Sequence, residues 1–318
     1  MFLTYFKMTN LAVIQIFILG AIGYFLVKKN ILGQDGLQAL SRLLIEVIFP
    51  LFIFSQLIQN FSFDLYPDWW IFPLLSIAIT IAGLLAGSIF LGFVRGTKHK
   101  LQFLSLVTFQ NSGYLPLALI AALFAQNKTD TLFIYIFLFL LGFDLIVWSF
   151  GVYMLTFVRT RKFELGSLFS PPVIANLLSL FLISLGLNKI IPGFVLKPLG
   201  LVGSCTLPLA MFVVGGNIAS LRLKHIDKKA MFFALLAKLV ILPLAGFWLI
   251  IQFKVPELMG LLILMQLAMP PATSLSVIIR HYQKEDLLIS QGVFFGHILS
   301  LITIPVFLSL YFVLVMIQ

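Results

Sequence analysis

A short polar stretch interrupts an apolar run in the first half of the chain. The run covers residues 107–124, VTFQNSGYLPLALIAALF, and it contains two amides, a hydroxyl, a glycine and a proline: Gln110, Asn111, Ser112, Gly113 and Pro116. A proline has no N–H and its ring clashes with the carbonyl four residues earlier, so we expect a helix to open across 112–116. Freed backbone groups need partners inside protein or against an aqueous cavity. The polar residues are therefore predicted to line such a cavity.

A second break is predicted in a later apolar run. Pro270 and Pro271 interrupt that run after Gln266, and Thr273 or Ser274 can cap the half-helix that restarts there. The start of each half-helix carries unpaired N–H groups and about half a positive charge. Two such ends that meet at one point favour an anion, above all a carboxylate. The alternative is a plain proline kink, which is common in membrane helices.

The composition is that of an integral membrane protein. Hydrophobic residues make up 61% and charged residues 10% of the 318 residues, and the mean hydropathy is +1.12; soluble domains carry about 25% charged residues. Apolar runs near the ~20 residues that cross a bilayer recur along the chain. They predict an all-α fold with ten membrane helices, at residues 11–27, 37–59, 69–93, 101–124, 131–158, 171–187, 196–220, 229–251, 256–280 and 286–317.

The basic residues are distributed unevenly between the predicted loops. Those that follow odd-numbered runs are Lys28, Lys29, Arg42, Arg95, Lys98, Lys100, Arg159, Arg161, Lys162, Arg222, Lys224, Lys228, Lys229, Arg280 and Lys284. The other side holds Lys7, Lys128, Lys189, Lys197 and Lys254. By the positive-inside rule both termini should lie outside the plasma membrane, or outside the inner membrane of a bacterium. The net charge of +10 then reflects topology and attraction to anionic lipid rather than nucleic acid.

Three landmarks recur in the same order at an offset close to half the chain length. VIFPLFIFSQLI around Pro50 lies over CTLPLAMFVVGGNI around Pro208, QNSG lies over MPPAT, and DTLFIYIFLF lies over EDLLISQGVF. Because each copy holds five runs, the second copy would enter the membrane from the opposite side. We expect two inverted five-helix repeats, 1–158 and 171–318, joined by a cytoplasmic loop at 159–170. Inverted repeats are typical of secondary transporters, whose site lies where broken helices meet.

The same segments resemble those of the auxin efflux carrier family, within the bile-acid/arsenite/auxin transporter superfamily. The resemblance covers the whole chain and rests on NSGYLPLAL, PPVIANLLSL, LPLAMFVVGGNIA and AMPPATSLSVIIRHYQKEDLLISQGVFFGHILSLITIP. It implies that the fourth and ninth of ten helices cross beneath a transport domain that moves, elevator-like, against a scaffold. It also implies organic-anion substrates, either auxin-like or similar to malate and malonate. The short central loop is similar to that of compact microbial members.

The resemblance also implies roles for residues at the crossing. The crossing prolines of the family correspond to Pro116 and to Pro270 or Pro271, and its crossing-point asparagine corresponds to Asn111. The ninth run has no asparagine at the equivalent place, where PPATS offers two hydroxyl groups instead. The symmetric pair of amides that the family pattern implies is therefore absent.

Ionisable residues inside predicted helices are costly and usually functional. Glu46 follows Arg42 by one helical turn, which predicts either a surface ion pair or, beside the carbonyl that Pro50 frees, a site for Na⁺ or a proton. Asp144 lies too deep in its run to reach water at either end. It is predicted to be either a proton carrier or a partner in an interhelical hydrogen bond.

Three further polar residues lie within predicted helices. Lys238 is expected to neutralise an anion or to pair with Asp144, and His297 to be either a proton relay or a packing histidine. Asn217 is expected to form an interhelical hydrogen bond or to face the same cavity, beside close helix contacts at Gly215–Gly216.

No catalytic motif accompanies these residues. The chain lacks a GxxxxGK[ST] phosphate loop and an HExxH motif, and Cys205 is its single cysteine, so we expect neither an enzyme nor a bound metal or cofactor beyond coupling to H⁺ or Na⁺. The sequence predicts a carrier for a small organic anion. A sodium-coupled importer resembling bile-acid symporters and a passive anion channel or uniporter stay open as alternatives. The expected partners are the anion, membrane lipid and, in a homodimer, a second copy of the chain.

Overall fold

The protein is built from helices in the part of the chain that the structure describes. The structure is a computed structural model, and it describes residues 1–156, 169–221, 227–276 and 287–316. Most of the predicted loop at 159–170 lies outside the described residues. The same is true of several basic residues on which the predicted orientation rests: Arg159, Arg161, Lys162, Arg222, Lys224, Arg280 and Lys284.

The described helices are numbered α1 to α11. They are α1 (Phe2–Lys28), α2 (Gln34–Asn60), α3 (Ile71–Ile89), α4 (Thr97–Thr108), α5 (Tyr114–Leu123), α6 (Lys128–Leu155), α7 (Pro171–Ser184), α8 (Gly193–Ala219), α9 (Lys228–Gln252), α10 (Glu257–Ala268) and α11 (Leu287–Leu314). Within the described residues, seven helices are long and apolar enough to cross a membrane: α1, α2, α3, α6, α8, α9 and α11. This pattern is that of a multi-pass membrane protein.

The predicted apolar runs all coincide with helices, although their bounds differ. The first helix begins at Phe2 instead of residue 11, and the fourth run is divided between α4 and α5. The ninth run keeps a helix only as far as Ala268, and the backbone becomes helical again at 274–276. The second interruption falls at the prolines, as predicted, whereas the first begins at Phe109, before the predicted opening across 112–116.

Burial places α6 in the interior and α1 at the periphery. In the most apolar window of α6, 67% of the residues are buried, against 22% in α1. The α6 side chains of Phe137 and Phe139 are fully enclosed, whereas Leu11 and Ile18 of α1 are more than half exposed. Apart from Gln15, the exposed residues in the middle of α1 are apolar, as is expected for a helix that borders lipid.

Three of the long helices contain a π-helical turn. These turns lie at Leu44–Ile48 in α2, Val147–Gly151 in α6 and Ala237–Ile241 in α9. Two of them directly precede a proline, Pro50 or Pro243. A proline cannot donate to the turn before it, and the wider π turn accommodates that loss without ending the helix.

Glycines allow the closest helix contacts. Gly215 of α8 faces the backbone of Gly20 on α1, and Gly23 faces the α8 backbone in return, so a Cβ atom at Gly215 or Gly23 would collide with main-chain atoms. Gly216 faces the side chain of Leu37 on α2. The predicted close helix contact at Gly215 and Gly216 is confirmed, and it follows the general use of small residues between membrane helices.

The glycine contact between α1 and α8 predicts a stability difference between two alanine variants. Gly215→Ala should lower stability by about 1–3 kcal/mol, because the two backbones must move apart. Gly193→Ala, in the first turn of the same helix, should change stability little, because no atom lies within 4 Å of its Cβ position. Thermal unfolding midpoints of the two variants in detergent measure the difference. Equal midpoints would contradict the packing described.

Candidate functional site

Two helices are interrupted near the centre of the molecule. Helix α4 ends at Thr108 and α5 begins at Tyr114, with the backbone extended from Phe109. Helix α10 ends at Ala268, and the chain is extended at Met269 before the two prolines. Each interruption leaves N–H and C=O groups without partners in their own helix, which a membrane interior does not tolerate unless other groups pair with them.

The two interruptions satisfy each other through an antiparallel backbone pair. The N–H of Asn111 donates to the carbonyl of Pro270 at 2.9 Å, and the N–H of Ala272 donates to the carbonyl of Phe109 at 3.0 Å. Gln110 therefore lies opposite Pro271. Because Pro271 has no N–H to lose, it occupies the position in this short ladder where no donor is required.

Pro116 does not lie in the first interruption, contrary to the prediction. We expected the helix to open across 112–116, but the described break covers 109–113, and Pro116 is in the first turn of α5. The N–H groups of a first turn have no partner within the helix, so a proline is tolerated there. Pro116 thus marks the start of the second half-helix, whereas Pro270 and Pro271 lie within the other break.

A cavity of about 150 Å³ borders the crossing. The predicted residues that line it are Gln110, Asn111, Ser112, Gly113, Thr273 and Ser274. Tyr114, Asp144, Trp148 and Ser170 complete its polar wall, and they come from α5, α6 and the residue before α7. The crossing thus gathers polar groups from four separate segments of the chain.

Several of these polar groups have no partner among the described residues. The side-chain nitrogens of Gln110 and Asn111 and the hydroxyl oxygen of Ser170 are buried without a hydrogen bond. Thr273 and Ser274 border the same cavity, and the residues that follow Ser276, which a side-chain cap would involve, lie outside the described residues. Amide nitrogens only donate, and unpaired donors of this kind are costly unless a ligand or water accepts from them.

Gln266 is a residue of this site that the sequence prediction missed. Its Nε2 donates to the carbonyl of Ser112 at 3.0 Å, and its side chain is fully buried. This bond crosses between the two broken helices and satisfies a carbonyl that the first break frees. Gln266 lies one turn before Pro270 and Pro271, and an amide at that place in an apolar run is the signal in the sequence that could have identified it.

Lys238 contacts a residue of the site, Gln110, without bordering the cavity itself. It is 1% exposed, and its Nζ donates to Oε1 of Gln110 at 3.4 Å. It lies in the π-helical turn of α9 and does not line the cavity. The expected pair with Asp144 is therefore not observed, and the lysine holds the Gln110 side chain instead.

Asp144 is one of the predicted residues that the structure brings to the crossing. It lines the crossing cavity, close enough to Tyr114 for an electrostatic interaction, and it is only partly buried. Its carboxylate has no hydrogen-bond partner and no ion pair among the described residues. The structure thus shows no interhelical hydrogen bond from Asp144 among those residues, and it places the side chain at the cavity.

The other predicted residues lie away from the crossing cavity. The Arg42 Nε donates to Oε1 of Glu46 at 2.7 Å, and the Glu46 side chain is 47% exposed, so the structure supports the surface ion pair and not an ion site. Asn217 and His297 do not line the cavity. No group of three His, Cys, Asp or Glu residues that could hold a metal occurs among the described residues.

Comparison with known proteins identifies the class. The sequence matches the family described as Membrane transport protein over residues 9–164 and 155–308, which together cover nearly the whole chain. A multi-pass helical protein with this match is a membrane transporter and not an enzyme. The chain belongs to the auxin efflux carrier family.

Three relatives illustrate how the similarity is distributed. The chain is 26% identical to Uncharacterized transporter MJ1031 of Methanocaldococcus jannaschii, over 92% of this chain and 95% of the relative. It is 30% identical to Protein PIN-LIKES 6 of Arabidopsis thaliana and 27% identical to Uncharacterized transporter C5D6.04 of Schizosaccharomyces pombe, over 37% and 36% of this chain. These two matches span 28% and 26% of the relatives' own lengths.

The bond from Gln266 predicts a stability loss on substitution. Gln266→Met should destabilise the protein by about 1–3 kcal/mol, because the buried Ser112 carbonyl is left without its donor. Gln252→Met, at the exposed end of α9, is the matched control and should have little effect. Thermal unfolding in detergent measures both. A Gln266→Met midpoint equal to that of the control would contradict a structural role for this bond.

Proposed function

We propose that this chain is a carrier that moves a small organic anion, a carboxylate, across the membrane by alternating access. The observation that carries the proposal is the pair of unpartnered amide nitrogens, on Gln110 and Asn111, at a cavity that Thr273 and Ser274 also border. A carboxylate accepts hydrogen bonds without donating, so it can satisfy such a set of donors. Membership of a transporter family supports transport as the outcome of binding.

The start of helix α5 adds positive potential at the same place. Gly113 and Tyr114, where α5 begins, border the cavity, as does Ser274, where the backbone becomes helical after the second break. The first N–H groups of a helix are unpaired and favour an anion. Lys238 places a further positive group behind Gln110. These features select the charge of the ligand, and the amides and hydroxyls orient it.

The size of the cavity favours a short acid. Its volume of about 150 Å³ is below the roughly 300–1,000 Å³ typical of sites for drug-sized ligands. We infer that a short aliphatic acid similar to malonate or malate fits better than an auxin-like acid with a ring.

Alternating access rests on two inverted five-helix repeats, 1–158 and 171–318. Three pairs of helix contacts support this arrangement, because the two contacts of each pair occupy corresponding places in the two repeats. Helix α1 packs on α8 as α7 packs on α2, α3 packs on α6 as α9 packs on α11, and α3 contacts α4 as α9 contacts α10. The antiparallel pairing of the two breaks agrees with it. In this proposal ten helices cross the plasma membrane and both termini lie outside.

Asp144 is the residue that we propose to couple transport to protons. An ionised carboxylate in the cavity would repel the carboxylate of the substrate, since like charges at short range in a low dielectric interact strongly. Anion binding is then favoured when Asp144 is protonated, and the two enter together. Glu46, the candidate for Na⁺, is exposed and paired with Arg42, so proton coupling is favoured over sodium coupling.

Counterflow in proteoliposomes tests the proposed transport. Vesicles preloaded with unlabelled malonate should transiently concentrate radiolabelled malonate from outside, and the initial rate should saturate. A channel would give neither saturation at low concentration nor counterflow. Replacing K⁺ by Na⁺ should leave uptake unchanged, because the proposed carrier does not use Na⁺. Faster uptake in Na⁺ would instead indicate a sodium-coupled importer.

Asn111→Ala should weaken malonate binding by roughly tenfold to a hundredfold, because one or two hydrogen bonds to a charged group are lost at about 1.5–3 kcal/mol each. Asn176→Ala is the matched control. Asn176 is equally buried, in α7, but does not border the cavity. Isothermal titration of folded protein measures both affinities. Unchanged affinity in Asn111→Ala would place the site elsewhere.

Asp144→Asn should abolish the pH dependence of malonate binding. In the unaltered protein, affinity should rise as the pH falls, because protonation removes a negative charge from the cavity. The asparagine variant mimics the protonated state and should bind at high pH as tightly as the unaltered protein does at low pH. Binding curves across a pH series measure this. A pH dependence that persists in Asp144→Asn would exclude Asp144 as the coupling group.

A further inference from the structure

A second and larger cavity lies between α1, α5, α8 and α11. Its volume is about 270 Å³, and it shares no lining residue with the cavity at the crossing. Gly20 of α1 leaves room for it, because it has no side chain to fill the space and its Cβ position meets no atom closer than 3.9 Å. Its wall is apolar apart from the ring of His297 and the hydroxyl of Tyr24. Nothing in the proposed anion transport uses this space.

His297 presents one unused hydrogen-bonding atom at this cavity. Its Nδ1 lies 2.8 Å from the carbonyl oxygen of Val293, one turn earlier on α11. A carbonyl only accepts, so Nδ1 carries the hydrogen, and Nε2 of the neutral ring is an acceptor. Nε2 is buried and has no partner among the described residues, while the histidine as a whole is 1% exposed. The site therefore lacks one hydrogen-bond donor.

The mouth of the cavity faces the apolar exterior of the protein. Ile298 lines the cavity and is 46% exposed. On the same two lining helices, Ile302 of α11 and Ile18 and Ile22 of α1 are also exposed and apolar. An occupant thus enters from the hydrocarbon phase of the bilayer, where these side chains lie.

Water is a poor occupant of this space. A bound water molecule needs two to four polar partners, and apolar cavities of similar size stay dry and take apolar ligands. Here the imidazole of His297 and the hydroxyl of Tyr24 are the polar side-chain groups of the lining, and Nε2 of the imidazole is buried without a partner among the described residues. An occupant must satisfy that atom while it covers apolar surface.

We propose that this cavity is a binding site for a small, uncharged, membrane-dissolved molecule with an apolar body and a single hydrogen-bond donor, a hydroxyl, which pairs with Nε2 of His297. The apolar body covers the aliphatic wall between α1 and α8. The hydroxyl donates to the imidazole, whose orientation is fixed by the bond to the Val293 carbonyl. The site is separate from the anion site and does not depend on the anion being transported.

Photolabelling with a matched pair of probes tests the site. The purified full chain in lipid nanodiscs is irradiated with hydroxymethyl-benzophenone or with its methyl ether, which has a similar shape but no donor. Peptide mapping by mass spectrometry then reports labelling of α1 and α11 around Gly20 and Ile298. The alcohol should label these segments roughly fivefold more than the ether, as one neutral hydrogen bond requires.

Two variants separate the contributions of the donor and of the space. His297→Phe should equalise labelling by alcohol and ether while leaving both probes in the cavity. Gly20→Leu should remove labelling by both probes, because its Cβ position meets no atom closer than 3.9 Å and the side chain can fill the cavity. Gly193→Leu, where the Cβ position is also open but no cavity lies, is the matched control and should label as the unaltered protein does.

Specific results would overturn the proposal. Equal labelling by alcohol and ether in the unaltered protein would show that His297 recognises no donor, and labelling that persists in Gly20→Leu would show general partition into lipid. If His297→Phe does not fold, the comparison of the two probes and the Gly20→Leu variant decide the question alone. Excess malonate should leave labelling unchanged, and a loss of labelling would contradict a site separate from the anion site.

Discussion

A backbone inside a lipid bilayer has to pair its own N–H and C=O groups, and this constraint governs the centre of the structure. Two helices are interrupted there, at 109–113 and 269–273, and neither interruption can satisfy its freed groups alone. The bonds from Asn111 to Pro270 and from Ala272 to Phe109 join them. Each interruption thus supplies hydrogen-bond partners for backbone groups that the other interruption frees.

The remaining contacts at the centre fix side chains that the backbone pair brings together. Gln266 donates to the Ser112 carbonyl and Lys238 donates to Gln110, so that groups on α9 and α10 determine the geometry of the first break. The side-chain nitrogens of Gln110 and Asn111 then remain as donors without a partner among the described residues. In this account a carboxylate completes the network, and the same constraint that builds the crossing gives it a preference for anions.

The sequence predicts the helices and the presence of both breaks because prolines and polar residues have local effects. The amides Gln110 and Asn111 and the hydroxyls of Thr273 and Ser274 do border one cavity, as expected. The partner of Gln266 could not be predicted, since Ser112 is 154 residues away and the bond depends on how the helices cross.

Other predictions failed because they depended on the residue at which a helix begins or on the face of a helix that borders the cavity. The start of α5 was placed too late because a proline is as acceptable in the first turn of a helix as at a break. His297 and Asn217 lie on helices near the site but on faces that do not border its cavity. Lys238 donates to Gln110 and does not line the cavity, so it makes no direct contact with an anion bound there.

Anomalous diffraction from crystals grown with bromomalonate tests whether an anion binds at the crossing, because bromine marks the ligand without reference to the shape of its density. We expect a bromine peak in the crossing cavity, with the carboxylates in contact with the Asn111 amide and the hydroxyls of Thr273 or Ser274, and with the two breaks still paired through Asn111 and Pro270. A bromine peak outside that cavity, or a carboxylate bound while the two backbones are unpaired, would contradict it.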